Sequence, residues 1–209
     1  MSEGIVVIGA SGGIGAALVT HWLAEGVGPV IAISRQPAPA GASSPALHWL
    51  CCDYSDEQMA TAVARIAELA PRPHRVVICN GILHQGEIQP EKRLEAINLD
   101  AMTRFYQTNA LLPLRWISQL LPLFGRAPCT LAVLSARVGS IGDNRAAAGM
   151  AIAHPRPPST CCSSVPPSSW PGGPQASNCW LSTPAQWIPN SLARFTPMYR
   201  QEMCRVPSW

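Results

Sequence analysis

The chain has 209 residues, enough for one domain with a substantial buried core. Its formal net charge is +3, and so small a scattered excess does not indicate a nucleic-acid-binding surface. We find no apolar run of about 18 residues and no basic N-terminal region followed by an apolar core. The sequence therefore predicts neither a membrane span nor a secretion signal, and the cytoplasm is the expected compartment. The eight cysteines contain no Cys-x-x-Cys pair, so no metal site is predicted.

Residues 5–18 combine a short apolar strand, a glycine-rich turn and the start of a helix. Free backbone N–H groups and the positive end of the helix dipole converge in such a turn, which favours an anion. Gly9 allows the tight turn, Gly13 lets a diphosphate approach the backbone, and Gly15 lets the helix pack closely on the strand. The predicted phosphate-binding residues are Gly9, Ser11, Gly12, Gly13, Ile14 and Gly15.

The glycine spacing, G-x-x-x-G-x-G, differs from the G-x-G-x-x-G of the common dinucleotide fingerprint. With Ala10-Ser11-Gly12 inside it, the motif resembles that of the short-chain dehydrogenase/reductase family. The resemblance implies an α/β fold, a doubly wound parallel sheet of the Rossmann type. It also implies hydride transfer between a nicotinamide dinucleotide and a small carbonyl or alcohol substrate. An ordinary glycine-rich strand–helix turn is the alternative that the motif alone leaves open.

Ser34 and Arg35 follow the second predicted strand, residues 30–33. In dinucleotide enzymes an acid here bonds the 2′-hydroxyl of NAD, whereas an arginine accommodates the 2′-phosphate of NADP. Because no acid is present, the sequence favours NADP over NAD, with both residues as cofactor-binding candidates. The alternative is a solvated arginine that merely follows a strand.

The third predicted strand, residues 47–51, leads to Asp53 and Tyr54, which we also assign to the cofactor site. In the family an aspartate at this point contacts the adenine ring, and Asp53 matches it. Asp53 could instead cap the next helix. Ser55 is the better cap, with Gln58 as its capping-box partner, and this is expected to leave Asp53 available.

Two later segments carry further matches to the family. A fourth strand, residues 75–79, ends in Asn80-Gly81, which resembles the Asn-Asn-Ala-Gly turn under the adenine side of the cofactor. In the helical stretch 90–124, Asn109 matches an asparagine that helps to hold a water on the proton-relay path. The alternative for Asn109 is a side chain bonded to its own helix backbone.

A fifth strand, residues 129–135, leads into a segment that resembles the C-factor and sniffer-like carbonyl reductases. The family's catalytic serine donates a hydrogen bond to the developing oxyanion of the substrate. Position just after the strand favours Ser135, whereas spacing to the expected tyrosine favours Ser140. Both stay candidates.

The family's Tyr-x-x-x-Lys motif is missing. Its tyrosine would protonate the alkoxide, and its lysine, one turn away, would lower the tyrosine pKa. The only lysine is Lys92, and the only tyrosine after the fifth strand is Tyr199, with Met203 at the lysine position. We therefore expect little or no reductase activity.

Composition changes sharply after residue 145. Residues 1–145 balance eleven basic and eleven acidic side chains, whereas residues 146–209 hold eleven prolines, four tryptophans and a single acid. Proline breaks helices, so we predict a dinucleotide-binding domain at 1–145, with its sheet truncated after the fifth strand, and an irregular tail at 146–209. A genuine disordered proline-rich tail is one explanation. The family pairs through two long helices, one of them in this region, so dimerisation is doubtful.

Out-of-frame translation is the explanation that we favour for the tail. Read from the third base of the Met150 codon, residues 150–156 can give Gly-Tyr-Arg-Ala-Ser-Lys, which contains the missing motif. In the same frame, residues 181–188 can give Phe-His-Pro-Gly-Thr-Val-Asp, which resembles the family's Pro-Gly turn after the sixth strand. Two of these residues are forced by the genetic code: the glycine at Met150 and the aspartate at Trp187.

Overall fold

A parallel sheet forms the centre of the structure. The computed structural model describes residues 4–84, 86, 94–124 and 129–134, and gives the backbone of residues 179–182. The strands are β1 (Gly4–Ile8), β2 (Val30–Ser34), β3 (Leu47–Cys51), β4 (Pro73–Ile78), β5 (Thr130–Leu134) and β6 (Cys179–Ser182). Their order is β3-β2-β1-β4-β5-β6, and every neighbouring pair is parallel. The predicted doubly wound Rossmann-type sheet is therefore confirmed.

Helices cover both faces of this sheet. They are α1 (Gly13–Ala24), α2 (Asp56–Leu69), α3 (Leu99–Tyr106) and α4 (Leu112–Leu120), and one π-helical turn, Gln107–Leu111, joins α3 to α4. Short 3₁₀ turns lie at Leu94–Ala96 and Leu121–Leu123. Among the helices of these residues, none is both long and apolar enough to cross a membrane.

Successive residues of the central strands pack into two separate hydrophobic cores, because side chains alternate between the two faces of a strand. On one face, Val6 and Ile8 of β1 pack with residues of α2 and α4, including the fully buried Trp116. On the other face, Ile5 and Val7 pack with residues of α1. Strands β1 and β2 are buried along their whole length, as expected for apolar strands with helices on both sides.

The sheet continues one strand beyond the predicted end. We expected it to stop after the fifth strand, but residues 179–182 pair in parallel with β5, from Leu131↔Cys179 to Leu134↔Ser182. Residues 175–183 contain no proline, so this stretch can supply every N–H group that the open edge of β5 requires. The truncation is thus corrected at these four residues. The rest of the predicted irregular tail lies outside the described residues.

Candidate functional site

The carboxyl ends of β1, β2, β3 and β4 bring the predicted cofactor residues to one edge of the sheet. Strand β1 lies between β2 and β4. The connection after β1 leads to β2 on one side, and the chain later crosses to β4 on the other side of β1. A crevice forms where the strand order reverses in this way, and doubly wound folds bind their ligands there. The turns that follow these four strands line the crevice.

The turn after β1 can be built only with glycine at two positions. Gly9 has a φ of +83°, and a Cβ atom there would lie 3.1 Å from the backbone of Cys79 and of Asn80. At Gly15, a Cβ atom would collide with the carbonyl oxygen of Gly9. Gly9 therefore allows the tight turn, as predicted, and it also lies against the end of β4. Gly15 lets the start of α1 pack closely on the turn that follows β1.

Helix α1 begins with its backbone donors open. Gly12 is the N-cap residue, in extended conformation, and no side chain caps the helix. The first turn contains no acidic residue, and Ser11, Gly12 and Gly13 are exposed while Ile14 is half-buried. The N–H groups of a first helical turn have no partner within the helix, so this one can take the diphosphate of a dinucleotide.

Ser34, at the end of β2, ties that strand to the glycine turn. It is completely buried, and its hydroxyl donates to the Ser11 hydroxyl oxygen at 2.7 Å. Its oxygen also accepts the Gln36 N–H at 2.9 Å. Ser34 therefore fixes the geometry of the turn, whereas the exposed side chain of Arg35 is the group left to meet a ligand.

Tyr54, beyond the end of β3, lies beneath Arg35. The Arg35 guanidinium carbon is 5.8 Å from the centre of the Tyr54 ring, and the Trp116 ring meets Tyr54 edge-on, with centroids 5.9 Å apart. Burial raises the pKa of the Tyr54 phenol, while the Asn80 side chain and the Arg35 charge act in the opposite direction. The phenol is therefore protonated at neutral pH.

Asp53 takes part in the turn that precedes α2. Ser55 is the N-cap, as predicted, since its side chain accepts the Gln58 N–H. Gln58, however, bonds the Asp53 N–H at 2.8 Å instead of the Ser55 N–H, and the latter donates to Asp53 Oδ1 at 2.8 Å. Asp53 is therefore not the cap, although its Oδ1 atom is engaged in the turn before α2, and its exposed side chain keeps the second carboxylate oxygen available. Hydrogen bonds from Ser55 hold the pKa of the Asp53 carboxyl below its usual value.

Asn80, after β4, has a buried polar atom without a partner. Its Oδ1 atom accepts no hydrogen bond from the described residues. Buried carbonyl oxygens are nearly always satisfied, so an orphaned one beside a crevice fits a ligand that donates to it. Gly81 is exposed, and a Cβ atom there would lie 3.7 Å from Asn109 Oδ1.

Asn109 connects the π-helical turn to the loop after β4. Its Nδ2 donates to the Ile82 carbonyl at 2.9 Å, and its Oδ1 accepts the Ile82 N–H at 2.8 Å. The alternative of a bond to its own helix backbone is therefore not what the structure contains. A π-helical turn often marks a functional site, because it turns a side chain away from its α-helical direction.

The catalytic candidates Ser135 and Ser140 lie outside the described residues. Burial raises the pKa of Cys79 to about 12 and that of Cys129 to about 11, so neither thiol is a nucleophile at neutral pH. No group of side chains that could hold a metal ion occurs within the part of the chain that the structure describes. Arg115 and Trp116 contact Tyr54. Sequence reasoning did not predict these contacts, since the two residues lie about sixty residues away from Tyr54 along the chain.

Comparisons with known proteins agree with this geometry. Residues 5–108 match the family model of NAD-dependent epimerases/dehydratases. A search of curated protein sequences finds no match. Among solved structures, a short-chain dehydrogenase from Streptomyces avermitilis superposes with a TM-score of 0.72 at 19% identity, covering 91% of this chain and 68% of its own.

Two carbonyl reductase structures are similar as well. Sniffer of Caenorhabditis elegans gives a TM-score of 0.64 at 21% identity, over 74% of this chain and 73% of its own. The NADPH-bound carbonyl reductase from chicken fatty liver gives 0.61 at 21% identity, over 73% of this chain and 65% of its own. The predicted resemblance is confirmed: the chain has the NAD(P)-dependent oxidoreductase fold of the short-chain dehydrogenases/reductases.

Proposed function

We propose that this chain binds NADP(H) in the crevice at the carboxyl ends of β1, β2 and β4. The observation that carries the proposal is the uncapped start of α1, whose N–H groups stand open above a turn that only glycine can form. Arg35 supports NADP over NAD, because it is the exposed charge at the end of β2 and no acid stands beside it.

The diphosphate and the adenosine portion of the nucleotide each have a matching group in this chain. Residues 9–15 would hold the diphosphate, and Arg35 would form charge-assisted hydrogen bonds with the 2′-phosphate. The unpartnered Asn80 oxygen would accept from the adenosine portion, and Asp53 keeps an exposed carboxylate oxygen on the same side. When bound, the nicotinamide supplies a hydride acceptor or donor.

We further propose that the present chain is inactive as a reductase. Its ancestor reduced a small carbonyl compound or oxidised an alcohol, as the names of the carbonyl reductases similar to it suggest. In this chain, Asn109 ties two elements together but holds no proton to give, and the sequence offers no Tyr-x-x-x-Lys to protonate an alkoxide. Ser135 or Ser140 could only polarise the substrate.

A slipped reading frame explains why the motif is missing. The change in composition after residue 145 and the two family motifs recovered in one alternative frame support this. Resequencing the gene across the codons for residues 144–149 tests it. An intact frame, together with tail peptides identified by mass spectrometry, would show that the tail is the genuine product.

Nucleotide titration of the full chain tests the binding proposal. Nicotinamide fluorescence should saturate with NADPH at lower concentration than with NADH, and adding a test carbonyl should not increase NADPH oxidation. Gly15→Ala should weaken NADPH binding by about five- to a hundredfold, because a Cβ atom there overpacks the turn and costs about 1–3 kcal/mol.

Gly41→Ala is the matched control. Gly41 also sits in a turn, with a φ of +84°, but no atom lies within 4 Å of its Cβ position. It should lose some stability through backbone strain and still bind NADPH. A wild-type chain that does not saturate with either nucleotide would contradict the proposal and favour a non-functional translation product.

A further inference from the structure

Tyr54 has a backbone conformation that its residue type disfavours. Its φ is +71°, and within the described residues it is the one non-glycine residue with a positive φ. In the left-handed region the Cβ atom crowds the backbone, so such a residue persists only where its surroundings determine it. The position could have been occupied by glycine, as the four other positive-φ positions among the described residues are. A bulky aromatic side chain here calls for an explanation.

Contacts from three sides hold Tyr54 in place. Arg115 of α4 donates from Nη2 to the Tyr54 carbonyl oxygen at 3.1 Å and to Asp56 Oδ1 at 2.6 Å. Trp116, the next residue of α4, meets the ring edge-on at an interplanar angle of 82°. The hydrogen bond from the Ser55 N–H to Asp53 closes the turn around it. Arg115 and the turn therefore fix the backbone of Tyr54, and Trp116 fixes the direction of its ring.

The free face of this ring supports Arg35. The guanidinium carbon lies 5.8 Å from the ring centre, within the range of a cation–π contact. Arg35 forms no salt bridge with any acid of the described part of the chain. The two residues meet because β2 and β3 are parallel and in register, with Ser34 opposite Cys51 at their ends. The Tyr54 ring is thus the contact that orients the guanidinium.

We propose that Tyr54 is a positioning residue for the 2′-phosphate of NADP: its ring holds the Arg35 guanidinium ready at the end of β2. This inference rests on the proposed function, and it assigns the discrimination between NADP and NAD to a pair of residues. Without the ring, Arg35 would lose orientation before the phosphate arrives, and ordering it would weaken binding. Binding of the diphosphate does not depend on the pair.

Calorimetric titration of the full chain with adenosine 2′,5′-bisphosphate and with AMP tests the inference, since these differ only in the 2′-phosphate. The ratio of their dissociation constants measures discrimination. Tyr54→Leu should lower this ratio by about two- to fivefold, the range of an exposed cation–π contact. Tyr54→Phe keeps the ring face and should restore the ratio. Arg35→Ala should lower it by about ten- to a hundredfold.

A double variant distinguishes a positioning role of Tyr54 from a merely structural one. In the Arg35→Ala background, Tyr54→Leu should leave the ratio unchanged, because no guanidinium remains to be oriented. Arg65→Ala, which removes an exposed arginine of α2, is the matched control and should keep the wild-type ratio. If Tyr54→Leu does not fold, a ring-fluorinated phenylalanine at position 54 keeps the shape and weakens the ring's negative face, and it should also lower the ratio relative to Tyr54→Phe.

The outcomes separate the two proposals. A wild-type chain that prefers the bisphosphate, with a ratio that Tyr54→Leu leaves intact, would overturn the positioning role and keep NADP binding. Equal weakening of both ligands would likewise overturn it, since Tyr54 would then be only a wall of the adenosine site. A wild-type chain that binds neither ligand would sink the proposed function, and this inference with it.

Discussion

The nucleotide crevice and the catalytic segment of this chain differ in what they are made of. The crevice is built from backbone groups and four short turns, all within residues 9–82. A catalytic centre of this fold needs particular side chains after β5, and the sequence supplies no Tyr-x-x-x-Lys there. On the proposed function, nucleotide binding would depend on main-chain geometry, whereas catalysis would depend on a few side chains later in the sequence.

A physical reason lies behind this separation. The glycine turn, the start of α1 and the ends of β2 and β4 adjoin buried strands that pack with α1, α2 and α4. Under the proposed slip of the reading frame, a change confined to residues after 145 would remove the expected proton donor and leave the sequence of the glycine turn unchanged. Three experiments test the two regions, in order of decreasing expected effect.

The largest effect is expected from restoring the reading frame. Translation from the third base of the Met150 codon onward should give Tyr-x-x-x-Lys, and NADPH-dependent reduction of a test carbonyl should rise at least about a hundredfold, since a general acid contributes that much or more. Absorbance of NADPH at fixed carbonyl concentration measures it. The restored chain with phenylalanine in place of its new tyrosine is the control and should lose that gain. An inactive restored chain would argue against descent from a reductase.

Replacing Asn109 should lower the free energy of unfolding more than replacing an asparagine whose hydrogen bond is local. Asn109→Ala leaves the Ile82 N–H and C=O without their partners and should lower the free energy of unfolding by about 2 kcal/mol. Asn98→Ala removes only the N-cap of α3, where the side chain accepts the Ala101 N–H, and should cost about 1 kcal/mol. Urea denaturation of both variants gives the comparison. Equal losses would mean that the two bonds between Asn109 and Ile82 contribute no more to stability than the single cap bond of Asn98.

The smallest effect concerns the pH dependence of the crevice. The pKa of Asp53 is lowered in the folded chain by hydrogen bonds from Ser55, so its contribution to stability is present above the usual value of 3.8 and is lost as pH falls through the folded value. Asp53→Asn cannot titrate. The melting temperatures of wild type and variant should therefore converge below about pH 4. Curves that stay parallel across this range would contradict the Ser55–Asp53 interaction.

Much of the fold could be predicted because local signals agreed with the global arrangement. The apolar run before Gly9 gave β1, and the Ser55 cap placed the start of α2. The end of the sheet could not be predicted in this way. Proline content argued against any strand in the tail, yet the four residues of β6 complete the edge of β5. Pairing at an open edge depends on the neighbour as much as on the strand itself.

The candidate site divides in the same way. Gly9, Gly15 and Arg35 could be assigned from spacing, because a turn between a strand and a helix imposes its demands on adjacent residues. The sequence did not reveal that Gln58 bonds the Asp53 N–H, or that the Ser55 N–H donates to Asp53 Oδ1, since both N–H groups lie within reach of more than one acceptor. The sequence near Tyr54 does not indicate that Arg115 bonds its carbonyl oxygen and that Trp116 packs against its ring.

The sequence alone was enough to predict the glycine turn after β1, the succession of strands along the chain and the absence of a Tyr-x-x-x-Lys motif, because each depends on residue types at short spacing. Only the tertiary structure decided that Tyr54 is held under Arg35, that Asn109 bonds Ile82, and that residues 179–182 join the sheet. These contacts join residues that are distant in sequence. Such contacts form only in the folded chain, and the local sequence around one residue does not indicate its partner.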